Sequence, residues 1–92
     1  MKLWVGRYKR GTPLHCAASA GYTETVELLL SKGASIEGRN LSHETPLHCA
    51  TLSGQNNTVE LLLSKGASIA ARNTKSETPL DIPTRSYIML VQ

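Results

Sequence analysis

The chain has 92 residues, a formal net charge of +3, two cysteines, one Trp, three Tyr and no Phe. A domain of this size buries only about 60–65% of its unfolded surface, and with so few aromatic rings its interior has to be assembled from Leu, Ile, Val and Ala. The cysteines, Cys16 and Cys49, make no CxxC pair, no apolar run approaches the ~18 residues of a membrane span, and the opening residues lack the apolar stretch of a signal peptide; a disulfide framework and a membrane span are excluded, and a cytoplasmic or nuclear setting is expected.

Residues 1–11, MKLWVGRYKRG, read as a basic N-terminal arm, with Lys2, Arg7, Lys9 and Arg10 and no acid. The remainder carries six basic and seven acidic residues. Charge confined to an arm is weak support for phosphate binding, and the first reading is a solvated tail. Attachment to nucleic acid or another anionic surface, with Trp4 and Tyr8 available for stacking, is the alternative function.

Residues 12–44 and 45–77 are two copies of one 33-residue unit, identical at 22 of 33 positions and unbroken over TVELLLSKGASI at 25–36 and 58–69. Each copy predicts two short helices. Thr12 is suited to cap the first, Pro13 to occupy its first position, and Gly21 to end it. Thr23 is expected to cap the second helix, which carries Val26, Leu28, Leu29 and Leu30 and ends at Gly33. Thr45, Pro46, Gly54, Asn56 and Gly66 repeat the scheme. Helices of about nine residues are marginal alone, so Leu28–Leu30 and Leu61–Leu63 are expected to be buried against the neighbouring copy. A third copy begins at Thr78 with TPL and then diverges. Pro83 would fall at the fifth helical position, costing ~3 kcal/mol or more, so residues 78–92 are read as a truncated unit followed by an apolar tail, Tyr87–Val91, that folds back over Leu61–Leu63.

The strings Thr12-Pro13-Leu14-His15-Cys16-Ala17 and Thr45-Pro46-Leu47-His48-Cys49-Ala50, together with the period, resemble the ankyrin repeat. The resemblance covers about residues 11–80. It implies an all-α, ankyrin-type solenoid of stacked helix-turn-helix repeats with connecting hairpin loops, and a concave surface that grips protein partners. It also implies that His15 and His48 are structural, each bonding its threonine hydroxyl and a neighbouring backbone, and that Cys16 and Cys49 occupy small, buried positions. The sequence departs from the pattern at Arg10, His43 and Ser76, where the family usually has Gly; the left-handed turn is then expected to survive with some strain. Two full units plus a stub fall below the three repeats expected for stability, which predicts a marginal monomer or a piece of a longer array.

Adjacent residues on a helix point about 100° apart, so neither His-Cys pair can readily share a metal ion or act as nucleophile and base. No phosphate loop, nucleophile elbow or zinc-protease motif occurs. Neither a metal, a cofactor nor catalysis is expected. The positions that the resemblance leaves for a protein partner are Ser19, Ala20, Arg39, Leu41, Ser42 and Glu44 in the first unit, and Leu52, Ser53, Arg72, Thr74, Lys75 and Glu77 in the second. Most of them are also positions where the two copies differ.

Overall fold

A helix begins wherever a threonine-proline pair can satisfy the free N–H groups of the first turn, and this chain has three such pairs. The computed structural model describes residues 11–82. Thr12 is extended (φ −85°, ψ 169°), and its hydroxyl accepts from the His15 N–H while the His15 ring accepts from the Thr12 N–H. This reciprocal cap, with His in the place more often held by Glu or Gln, opens helix α1, Pro13–Ala20. Thr45 and His48 repeat it at the start of α3, Pro46–Leu52. The second helices are α2, Thr23–Ser31, and α4, Asn56–Ser64, and a single 3-10 turn follows at Pro79–Asp81. No strand occurs among the described residues, and the architecture is the expected stack of helix pairs.

The turn inside each unit is tighter than the sequence suggests. Gly21, at φ 79°, closes α1, and a side chain there would collide with the Gln55 carboxamide of the next unit. The Thr23 N–H then donates straight back to the Gly21 carbonyl at 2.9 Å. Helix α2 therefore starts one residue early: Tyr22 is its N-cap and makes no side-chain bond, while Thr23 is already helical and its hydroxyl donates to the Gly21 carbonyl. Gln55, not Asn56, likewise precedes α4. At the other end, the Gly33 N–H reaches the Leu30 carbonyl and the Ala34 N–H that of Leu29, a Schellman closure with Gly33 left-handed at φ 97°.

Leu14, Ala17, Ala18, Leu47 and Ala50 of the inner helices, with Val26 and Leu62 of the outer ones, form the core. The contact of α1 with α3 is the most extensive, and α2 meets α4 over a smaller area. Alanine at 17, 18 and 50 lets the inner helices approach closely. The leucine triplets do not enter the core as blocks, because three consecutive helical residues cannot share one face. Leu62 is fully buried, but Leu28 is 56% and Leu63 40% exposed.

Of the third unit the described residues include only the opening turn; residues from Pro83 on lie outside them. Asp81 takes over the role of the histidine: its carboxylate accepts from the Thr78 N–H at 3.0 Å, and the hydrogen bonds from Thr78 hold its carboxyl below the ordinary carboxylate range. Ile82, which precedes Pro83, is extended (ψ 123°). The tail at 87–91 and the arm at 1–10 lie outside the described residues.

Replacing Leu62 by Ala is expected to cost ~2–5 kcal/mol in urea denaturation, and Leu63→Ala less than about 1 kcal/mol. Equal shifts in midpoint would contradict this division of the triplet.

Candidate partner-binding surface

The loops between units are built on one asparagine each. The Asn40 carboxamide oxygen accepts from the N–H groups of Ser42 and Glu44, both at 2.9 Å, and its nitrogen donates to the Glu44 carboxylate at 3.0 Å. The backbone closes the same loop, with the Asn40 N–H on the Glu44 carbonyl and the His43 N–H on the Asn40 carbonyl. Asn73 makes the corresponding contacts with Lys75 and Glu77. His43 and Ser76 sit at φ 60° and 63°, so the left-handed turn does survive without glycine. Both asparagines are buried. Their R-N…E spacing is unchanged between the two copies, and that was the available signal for a role that sequence reasoning missed.

The two hairpins are bonded edge to edge. The Thr74 N–H donates to the Ser42 carbonyl at 3.0 Å, and one Arg39 guanidinium nitrogen donates to the carbonyls of His43 and Arg72 at 3.0 and 2.8 Å. Arg72 bonds the Ser76 carbonyl in turn. Each hairpin is also tied to the preceding first helix, since His15 Nε2 donates to the Glu44 carbonyl at 2.7 Å and His48 Nε2 to that of Glu77 at 2.9 Å. The Nδ1 of each ring accepts from its threonine. All ring nitrogens are thus engaged by the protein itself, which makes both histidines structural. Burial lowers the His15 pKa, and the hydrogen bond to Glu44 only partly offsets it.

Beside this clasp, Cys16, Ser19 and Ala20 of α1, Cys49 and Leu52 of α3, and Asn40 and Glu44 of the hairpin line an open groove. Of the residues singled out from the sequence, Ser19, Ala20, Glu44 and Leu52 come together there. Ser53 adjoins them through a hydrogen bond between its hydroxyl and that of Ser19, 3.0 Å apart. Arg39, Ser42, Arg72 and Thr74 join or brace the hairpins, while Leu41 and Lys75 are exposed on them. Glu44 and Glu77 are half-buried, with carboxylates held by Asn40 and Asn73. The cysteines depart from expectation: Cys16 is exposed and Cys49 half-buried, because this register of the inner helices faces the groove rather than the neighbouring helix pair. Burial pushes the Cys49 thiol up to about 12, with Glu44 and Cys16 adding to the effect.

A family model described as ankyrin repeats (3 copies) matches residues 2–73, beginning within the segment that reads as a basic arm. No curated protein matches the chain.

The lowered His15 pKa sets a direction for pH dependence. The unfolded chain binds the proton more readily, so this stability is complete above the ordinary histidine value of 6.5 and is lost as pH falls below it. In urea, the native chain is expected to lose more stability between pH 7.5 and 5.5 than His15→Gln does; equal losses would contradict the assignment. With iodoacetamide at pH 8, exposed Cys16 is expected to be alkylated well before Cys49, whose thiol stays protonated. Equal rates, read by peptide mass mapping, would show that Cys49 is not shielded.

Proposed function

The chain belongs to the ankyrin repeat family, whose members are generally non-catalytic protein-interaction modules, and on that premise we propose that it binds a protein partner through the groove and the adjoining row of hairpins. The observation that carries this reading is where the two copies differ. Leu41 stands against Thr74, Ser42 against Lys75, and Ser19-Ala20 against Leu52-Ser53, while the threonine-histidine caps, the arginine-asparagine-glutamate loop residues and the core positions other than Ala18, which is Thr51 in the second copy, stay the same. The groove and hairpin tips thus vary between copies, while the histidine clasp that holds them is constant.

Leu41 and Leu52 are the anchors of the proposed contact, being 57% and 51% exposed beside polar neighbours. Arg39, Arg72, Lys75, Thr74, Ser42, Ser19, Ala20, Ser53, Glu44 and Glu77 form its rim. The asparagine loops and the hairpin-to-hairpin bonds fix this surface before binding, so a partner meets little ordering cost. Arg39 and Arg72 brace the hairpins, and their removal would disturb the surface as well as any contact; the leucines give the cleaner test. Among the described residues, no helix is long and apolar enough to cross a membrane.

The partner would first be captured on the immobilised chain and identified, and its affinity then measured by calorimetry. Leu41→Ser combined with Leu52→Ser is expected to weaken binding tenfold or more, about 1.4 kcal/mol, with the circular dichroism spectrum unchanged. Undiminished affinity would rule out this face.

A further inference from the structure

The groove beside the histidine clasp carries one carboxylate and no lysine or arginine. Among its lining side chains the acid is Glu44, and the apolar wall is formed by Ala20 and Leu52 with the two cysteines between. Most of the polar groups there are already engaged. His15 Nε2 donates to the Glu44 carbonyl, Asn40 Nδ2 to the Glu44 carboxylate, and the Ser19 hydroxyl is paired with that of Ser53.

What remains is an acceptor. Asn40 holds Oε1 of Glu44 at 3.0 Å, while Oε2 has no partner among the described residues. The ion pair found among those residues joins Lys65 to Glu27 on the outer helices, so the half-buried Glu44 carboxylate has no cation beside it. Its charge faces the groove wall: burial raises the Cys49 thiol, and Glu44 adds to the effect.

A carboxylate with one open oxygen above an apolar wall selects the shape of its counter-ion. Arginine binds a carboxylate best with its fork across both oxygens, and Asn40 already occupies one of them. Lysine brings a compact ammonium that one oxygen can take, on a four-carbon stem able to lie along apolar surface. Leu52, 51% exposed, and the exposed Ala20 offer that surface.

Resting on the groove as the binding surface proposed above, we infer that it recognises a lysine of the partner protein, with the ammonium on Glu44 Oε2 and the stem, next to an aliphatic residue of the partner, against Leu52 and Ala20. Acetylation of that lysine removes its charge and would release the partner.

The probe is a library of random dodecapeptides displayed on phage and selected on the immobilised chain. Enriched sequences are remade with a fluorescein label and titrated by anisotropy. They are expected to share a lysine next to an aliphatic residue. Acetylating that lysine, or Glu44→Gln in the chain, is expected to weaken binding about tenfold or more. Glu44→Gln keeps an oxygen for Asn40, and circular dichroism would verify its fold; the acetylated peptide tests the same contact with the chain unaltered. Glu60→Gln, which removes an exposed acid from α4, should leave binding unchanged, and equal weakening would overturn the inference in favour of overall charge. No enrichment, enriched peptides without lysine, or binding indifferent to both acetylation and Glu44→Gln would also overturn it. If such peptides are still weakened by Leu52→Ser, the groove stands and only the lysine falls; if they are not, the groove reading falls as well. Binding that tightens on Lys2→Gln with Lys9→Gln in the chain would assign the groove to the chain's own basic arm, and likewise overturn the inference.

Discussion

A histidine ring that accepts from a threonine on one side and donates to a carbonyl on the other has only one form available, the neutral ring with its proton on Nε2. His15 and His48 are held in that form, and the demand reaches beyond the helix each one caps. The same imidazole completes the reciprocal cap with Thr12 or Thr45 and spans to Glu44 or Glu77, 29 residues later. Helix start and following hairpin are thereby set by one side chain. Asn40 and Asn73 then shape the hairpin whose carbonyl the ring holds, and Arg39 and Thr74 pass the arrangement sideways from one unit to the next. Ala17, Ala18 and Ala50 let the inner helices come close enough for the span to be made.

Much of this was legible because local chemistry and repetition agreed. The threonine-proline starts, Gly21 and the 33-residue unit all follow from residues whose conformational demands are strong. The parts that escaped depend on tertiary geometry. Thr23 looks like a cap, and only the tightness of the turn after Gly21 makes it the first helical residue. The leucine triplets look uniform, and only the position of each helix in the stack decides that Leu62 is sealed while Leu63 is not. Cys16 and Cys49 look like core residues by analogy, but they line the groove. Asn40 and Asn73 look like ordinary polar loop residues until their hydrogen bonds are counted.

The proposed recognition surface illustrates how such a scaffold divides labour. Several residues that look like contacts in the sequence are structural: Glu44 and Glu77 close the asparagine loops, Ser19 and Ser53 bind one another, and Arg39 holds two carbonyls. Their fixed geometry leaves the exposed leucines at 41 and 52 as the positions with the most apolar area to offer. An interface of this kind draws its specificity from polar groups already oriented and its affinity from a few apolar anchors.

The most direct test of the histidine clasp is the tautomeric state of both rings, read from long-range nitrogen–proton correlations in an NMR experiment on 15N-labelled protein at pH 7.5. The geometry requires a proton on Nε2 and none on Nδ1 in His15 and in His48. A ring protonated on Nδ1, or one averaging rapidly between tautomers, would mean that the bonds to Thr12 and Glu44, or to Thr45 and Glu77, do not hold the stack together.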